Sequence, residues 1–230
     1  MRILAVDTSS AICAVALLEN NILINQKVLD NGRTHSENFM PLLDKCLKEM
    51  NTLLDDIDLI VCCIGPGSFT GIRIGIASIK AIAEIKNIDI VEVTSLESLA
   101  YNVENVEKST IVSMIDAKNK QVYSGIFDEK YNLKIPYLAD DINIVIEKIK
   151  DYDNFIFVGD GSIENKEIII ETLKNKKYKF VSENLNKQSA YSAGKCGYDK
   201  WINKKDIKSA DTLNPLYLRK SQAERLKDAK

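Results

Sequence analysis

The first residues of the chain alternate between short apolar runs and polar turns. Residues 2–7, 14–18 and 22–29 are the apolar runs, and polar turns at 8–10 and 19–21 join them. Apolar runs of this length, bounded by turn-forming residues, are typical of β-strands. The pattern therefore predicts a three-stranded meander at the start of the chain.

Two helix–strand pairs are predicted after the meander. Thr34 and Glu37 have the spacing of a capping box, and apolar residues recur at helical spacing up to Met50, with Pro41 either bending this helix or marking its first turn. The run 57–64 is typical of a strand buried on both faces. A glycine turn, a second helix and a strand at 88–93 follow. The order βββαβαβ favours a ribonuclease-H-like α/β unit.

The second half of the chain begins with the pattern of the first. MRILAVDTSSAICAVALLEN and STIVSMIDAKNKQVYSGIFDEK each contain an apolar strand that ends in an aspartate, Asp7 or Asp116, followed by a polar turn and a second strand. Two such halves define the actin-like architecture, in which nucleotide lies between the lobes and the strand-end aspartates face the cleft. Further elements are predicted at 133–138 (strand), 141–150 (helix), 154–159 (strand), 162–175 and 189–203 (helices).

The predicted fold class is therefore α/β, an actin-like (ribonuclease-H-like) duplicated fold. We expect two subdomains, each with a mixed sheet flanked by helices. The first spans residues 1–104 and the second residues 105–230, with the return of the last helix or tail to the first subdomain left open.

Composition excludes several classes of protein. The chain has 230 residues, 45% of them hydrophobic, yet no apolar run approaches the roughly 20 residues of a membrane span. No signal segment is recognisable at the N-terminus, so we expect a cytoplasmic protein with no membrane role. The five cysteines show neither disulfide nor zinc-ligand spacing. A net charge of -2 gives no global attraction to nucleic acid.

The glycine turn at 65–68 leads into a helix that offers two candidate surfaces. Exposed N–H groups at the helix start, residues 68–71, are suited to a phosphate. Gly71, Gly75 and Ser78 recur at i, i+4 and i+7 and form a strip without bulky side chains, which would let another helix approach closely. The sequence alone leaves phosphate and protein as alternatives.

Two further turns are candidates for nucleotide binding. The Asp7 turn, DTSS, is similar to the phosphate-binding first turn of actin-like kinases, but it also has the composition of an Asx or Ser/Thr turn that joins two strands, and we favour the structural role. The string Gly159-Asp160-Gly161 is a candidate for an adenine pocket, without a full glycine motif. ATP binding is left open and is not predicted.

His35 is the only histidine in the chain. No second histidine or HExxH motif accompanies it, and it lies far in sequence from Asp7 and the glycine turn. A surface or capping role is favoured over catalysis.

The strings MRILAVDTSS, GPGSFTGIRIG, IDAKNKQVY and NPLYLR occur in this order along nearly the whole chain. They resemble the TsaB family, a bacterial subunit of the machinery that makes threonylcarbamoyladenosine on tRNA. The resemblance implies a heterodimer with the paralogous catalytic subunit TsaD and a further ATPase partner, TsaE. It also implies modification of adenosine 37 in tRNAs that read codons beginning with A.

The resemblance also implies that this chain is a noncatalytic, dimerising subunit. TsaD-like proteins carry a metal-binding HxxxH motif, whose histidines align with Ser95 and Leu99 here, and neither side chain replaces an imidazole ligand. We expect no cofactor on this chain, with ATP and divalent metal on the partner subunits. A nucleotide-binding remnant is predicted at Asp7, Thr8, Ser9, Gly65 and Gly67. The alternative is a nucleotide-dependent enzyme, kinase-like or peptidase-like, that uses the Asp7 turn and the glycine loop.

A partner surface is predicted on the first two helices. We expect it to bind the TsaD-type subunit and to form a homodimer when that subunit is absent, with tRNA bound only indirectly. The basic C-terminal segment 219–230 is interpreted as a solvated tail rather than a tRNA-facing arm. The predicted surface comprises Met40, Leu43, Leu47, Gly71, Gly75, Ser78 and Ile82.

Overall fold

A computed structural model describes residues 1–30, 35–104 and 108–219 of the chain. Its strands are β1 Arg2–Asp7, β2 Cys13–Glu19, β3 Ile22–Leu29, β4 Leu59–Cys63, β5 Ile90–Val93, β6 Thr110–Asp116, β7 Gln121–Phe127, β8 Leu133–Asp141, β9 Phe155–Val158, β10 Tyr178–Phe180 and β11 Ile207–Lys208. Its helices are α1 His35–Lys48, α2 Phe69–Lys86, α3 Ser95–Ala100, α4 Ile142–Ile149, α5 Asp160–Glu164, α6 Lys166–Thr172 and α7 Ala190–Ile202.

The strands form two mixed sheets that share a five-strand topology, and the first sheet has β11 as an additional antiparallel edge strand. The first has the order β11-β5-β4-β1-β2-β3, and the second has the order β10-β9-β6-β7-β8. In each, the first strand pairs antiparallel with the second and parallel with the fourth. The duplicated actin-like fold and the order βββαβαβ are confirmed. We call the first sheet with its helices the first lobe, and the second sheet with its helices the second lobe.

Each face of the first sheet is covered by helices. Leu4 and Val6 of β1 face α1 and α2, whereas Ile3 and Ala5 face α7, as the alternation of a strand requires. Gly194 of α7 lies so close to the sheet that a Cβ there would be 2.6 Å from a methyl carbon of Leu18. Although α7 and β11 come late in the chain, they therefore pack with the first lobe.

Two details of the structure differ from the predicted elements. The helix predicted at 162–175 is divided into α5 and α6 at Asn165, whose side-chain amide donates to the carbonyl of Gly161 (2.8 Å). Pro41 lies in the interior of α1 rather than in its first turn. Thr34 and the tail 220–230 lie outside the described residues.

Candidate functional site

The Asp7 turn is closed by its own hydrogen bonds. Asp7 ends β1 and is only 1% exposed. Ser9 donates its backbone N–H (2.8 Å) and its hydroxyl (2.6 Å) to Oδ1 of Asp7, and the Thr8 hydroxyl donates to the carbonyl of Gly71 (2.8 Å). Burial raises the pKa of Asp7 above its ordinary value, and the hydrogen bonds from Ser9 oppose this shift. The carboxylate and both hydroxyls therefore face the interior of the lobe.

The glycine turn, residues 65–68, lies directly on the Asp7 turn. A Cβ on Gly67 would be 2.0 Å from the carbonyl oxygen of Ser9, and the same carbonyl accepts the backbone N–H of Ser68 (2.7 Å). The Ser68 hydroxyl in turn caps α2 by accepting the N–H of Gly71 (3.2 Å). These N–H and hydroxyl groups therefore already bond within the chain, which supports a structural role for the two turns, and the nucleotide-binding remnant stays a prediction.

The small-residue strip on α2 faces the interior, not a partner. A Cβ on Gly71 would be 2.1 Å from the carbonyl oxygen of Thr8 and 2.6 Å from Cδ2 of His35. A Cβ on Gly75 would be 2.3 Å from Oγ1 of Thr8. The prediction that Gly71 and Gly75 leave space for a partner helix was wrong, because their own chain's Asp7 turn occupies that space.

Two leucines assigned to the partner surface are also in the core. Leu43 and Leu47 of α1 are 3% and 5% exposed and pack between the first sheet and α2. The apolar stripe of α1 is wider than a single row, and these leucines lie within it. Ile82 is buried as well, whereas Ser78 is partly exposed and Met40 is 46% exposed.

An apolar groove nevertheless runs along the outer side of α1 and α2. It has a volume of about 370 Å³, and Ile85 beside it is 80% exposed. Lys86 at one end forms an ion pair with Asp55 (2.6 Å). Ile85 and Leu54 were missed by the sequence analysis, although Ile85 follows Ile82 at helical spacing. The residues that line this outer groove are Met40, Leu54, Ser78, Ala81, Ile82, Ile85 and Lys86.

The positions aligned with the HxxxH histidines are in the protein interior. Ser95 and Leu99 are both 0% exposed. The Ser95 hydroxyl is 3.3 Å from Sγ of Cys63, and Leu99 packs against Gly159 between the two lobes. Within residues 1–30, 35–104 and 108–219, no three His, Cys, Asp or Glu residues are grouped so that they could hold a metal ion.

His35 contacts the Asp7 turn. Its Nε2 donates to the carbonyl of Ser10 (2.8 Å), and its ring lies against Gly71. His35 is half-buried as the first residue of α1, beside the Asp7 turn, and its surface or capping role stays a prediction. Twenty-five positions separate His35 from Ser10, so local sequence patterns contain no sign of this contact.

A cleft of about 450 Å³ separates the two lobes. Asp116 lines it and forms an ion pair with Lys118 (2.6 Å), while its backbone N–H donates to Asp160 (3.0 Å). Of the two strand-end aspartates, Asp116 faces the cleft as expected and Asp7 does not. Gly159 packs against β6, where a Cβ would be 2.1 Å from the carbonyl oxygen of Met114.

Over the part of the chain that the structure describes, no helix combines the length and the apolar character needed to cross a membrane.

Two lobes of matching topology with a cleft between them define an actin-like protein, and solved structures share this fold. A Pseudomonas aeruginosa protein described as uncharacterized, with similarity to the peptidase YeaZ, is 22% identical and superimposes with a TM-score of 0.77, covering 95% of this chain and 99% of that one. The activator of 2-hydroxyisocaproyl-CoA dehydratase from Clostridium difficile, with bound ADPNP, is 12% identical with a TM-score of 0.52, covering 94% and 100%.

Sequence comparison identifies the family. The family model described as TsaD, tRNA N6-adenosine threonylcarbamoyltransferase, matches residues 20–227. The tRNA threonylcarbamoyladenosine biosynthesis protein TsaB of Bacillus subtilis is 31% identical over 231 residues, which cover 97% of this chain and 96% of that protein. The chain belongs to the TsaB family of tRNA threonylcarbamoyladenosine biosynthesis proteins.

Proposed function

We propose that this chain is a noncatalytic scaffold that binds a TsaD-type catalytic subunit through the outer groove of α1 and α2. It supports the formation of N6-threonylcarbamoyladenosine at position 37 of tRNAs that read codons beginning with A. The observation that carries the proposal is the exposed apolar lining of the groove, above all Ile85.

The outer groove has the physical properties of a docking surface. Met40 and Ile85 are large apolar side chains that stay exposed on adjacent helices, and burying such a side chain contributes about 1.5–3 kcal/mol. The Lys86–Asp55 pair lies at the edge, where a polar rim is typical of protein interfaces. A partner that presents a matching apolar helix pair would cover this surface. The same surface allows a homodimer when the partner is absent.

The interior of the chain supports a noncatalytic role. Leu99 occupies an apolar environment, and the hydroxyl of Ser95 is next to a thiol, so neither position offers ligands for a catalytic metal. The Asp7 turn bonds to itself and to α2. We therefore assign no cofactor to this chain and place ATP and divalent metal on the partners, a TsaD-type subunit and a TsaE-type ATPase. Contact with tRNA is indirect, and the complex functions in the cytoplasm.

Co-purification with the TsaD-type subunit tests the scaffold function. Ile85→Glu and Met40→Glu place a carboxylate in the outer groove and are expected to abolish co-purification, because burying an unpaired charge is costly. Ile144→Glu is the matched control, since Ile144 is 45% exposed on α4 of the second lobe. If both groove variants retain the partner as the control does, the docking surface is elsewhere.

The alternative, a nucleotide-dependent enzyme, is favoured by one observation, the cleft between the lobes lined by Asp116 and Lys118. Calorimetry of the isolated chain with ATP and magnesium separates the two functions. We expect no measurable heat of binding. Tight binding with turnover would contradict the scaffold function.

A further inference from the structure

Near its C-terminal end, the chain passes from the first lobe to the second lobe. Residues 207–213 belong to the first lobe, since β11 pairs with β5 and the side chain of Leu213 is fully buried in the core that α1 and α2 form on the first sheet. Arg219, a short distance further along the chain, bonds to the second lobe. Residues 216–219 make this crossing, and we call them the strap.

The strap begins on the glycine turn of the first lobe. The backbone N–H of Leu216 donates to the carbonyl of Ile64 (2.9 Å), and its carbonyl oxygen faces Gly65, where a Cβ would be 3.1 Å away. Tyr217 stacks on Phe69, the first residue of α2, with ring centroids 4.7 Å apart. Backbone and side-chain contacts therefore both hold the start of the strap on the first lobe.

The other end of the strap is held by the second lobe. Leu218 packs against the apolar cluster around Ile115 of β6. Nη1 of Arg219 donates to the carbonyl of Ala117 (3.2 Å), the residue directly after β6. Ile115, Ala117 and Phe69 all line the cleft between the lobes, so the strap joins the two lobes beside that cleft.

The strap is too short to follow a wide separation of the lobes. An extended chain covers at most about 3.6 Å per residue, so the three steps from Leu216 to Arg219 span at most about 11 Å. Beyond that reach, either the bond of Leu216 to Ile64 or the contacts of Leu218 and Arg219 with the second lobe must break.

The helix α3 provides another link between the lobes. Its residues Leu96 and Leu99 are fully buried in the apolar cluster that includes Ile111 and Ile115 of the second sheet. Two lobes around a cleft are an arrangement in which hinge closure occurs, and one link alone would leave rotation about that link free. A second link beside the cleft restricts this rotation.

We propose that the strap and α3 together lock the two lobes at one angle, and that release of the strap opens the cleft. The lock is separate from the outer groove, because the strap contacts the start of α2 whereas Ile82 and Ile85 of the groove lie near its end. It holds α2, and with it the groove, in a fixed orientation relative to the second lobe.

Pulsed electron paramagnetic resonance tests the lock on the full chain by measuring the distance between two spin labels. Ala11→Cys and Glu164→Cys place one exposed label site on each lobe, since Ala11 lines the cleft and Glu164 ends α5. The five native cysteines are buried, so the folded chain is labelled at the introduced sites. With the native strap, we expect a single narrow distribution of distances.

The double variant Leu218→Ser/Arg219→Ser removes the contacts of the strap with the second lobe. We expect its distance distribution to widen and its mean to move to a longer distance. Tyr178→Ala is the matched control, because it removes an aromatic contact with Phe180 inside the second lobe and leaves the strap intact. Its distribution should equal that of the native strap.

A double variant whose distribution coincides with that of Tyr178→Ala would overturn the proposal. A broad distribution in the chain with the native strap would overturn it as well. If the double variant does not fold, Arg219→Ser alone, which keeps Leu218, is judged by the same comparison.

Discussion

Asp7 and Asp116 end the first strands of the two sheets, β1 and β6, at equivalent places in the topology. Asp7 is buried and bonded to Ser9, whereas Asp116 faces the cleft and pairs with Lys118. The duplication therefore preserves the backbone while the two carboxylates have different environments. In the first lobe the carboxylate stabilises a turn, and in the second it contributes charge to the cleft.

The glycine turns extend this comparison. Gly67 and Gly71 press against the Asp7 turn, and Gly159 and Gly161 press against the end of β6. Small residues at both places allow the turn after the fourth strand to touch the end of the first strand. Because the first lobe fills this space with its own chain, the glycine strip offers no surface to a partner, whereas the outer groove is exposed.

We expect the largest loss in the free energy of unfolding when a closely packed glycine in each lobe is replaced by alanine. Gly71→Ala would place Cβ 2.1 Å from a backbone oxygen, and we expect a loss of about 3 kcal/mol, the upper part of the range for overpacking. Gly161→Ala, whose Cβ would be 2.8 Å from the carbonyl carbon of Ile115, should cost about 1 kcal/mol. Urea denaturation measures both. Equal losses would show that the two lobes are packed alike.

Removing the carboxylates gives the next effect. Asp7→Ala leaves the N–H and hydroxyl of Ser9 buried without an acceptor and should cost about 2 kcal/mol. Asp116→Ala breaks an ion pair with the exposed Lys118 and should cost much less than Asp7→Ala. The same denaturation curves provide the comparison. A larger loss for Asp116→Ala would reverse the assigned roles.

The segment 209–219 adds a smaller contribution, because it crosses the first lobe's glycine turn. Tyr217 stacks on Phe69 with ring centroids 4.7 Å apart, and Arg73 donates to its hydroxyl (2.7 Å). Tyr217→Ala should cost about 1 kcal/mol, as expected for a stacked aromatic pair. Tyr217→Phe keeps the stack and should lose less than half of that. Similar losses for the two variants would assign the stabilisation to the hydroxyl.

The thiols near Asp7 are tested by their rate of alkylation rather than by a change in stability. Because burial raises the pKa of Cys13 to about 11, about 1% of it would be thiolate at pH 9, where an ordinary cysteine is mostly ionised. We expect alkylation of the native chain at pH 9 to be at least tenfold slower than that of the urea-unfolded chain. Mass spectrometry locates the label. Rapid labelling of Cys13 in the native state would contradict the tight packing of this region.

Strand bounds and the repeated topology were predicted correctly, because they follow from patterns of neighbouring residues. The bounds of β1 and β3 agree with the predicted runs, and the echo between the two halves predicted the shared topology. Helical spacing also identified Gly71 and Gly75 as one strip. It could not show which surface the strip meets, because the contact with Thr8 spans 63 positions of the chain.

The burial of residues on α1 also could not be predicted from helical spacing alone. Periodicity grouped Leu43 and Leu47 with Met40, but only packing against α2 decides that the leucines are covered and Met40 is not. The capping box of α3, Thr94 and Glu97, has a local sequence pattern that could have predicted the start of this helix. Each site residue whose environment was predicted wrongly is buried by long-range contacts, which local propensity does not show.

Hydrogen exchange on the complex with the TsaD-type subunit tests whether the outer groove is the docking surface, because it locates the partner without altering the chain. We expect slower exchange in peptides that cover α1 around Met40 and the last turns of α2 around Ile85, with little change at Asp116 and Lys118. Protection confined to the cleft between the lobes, with α1 and α2 unchanged, would contradict it.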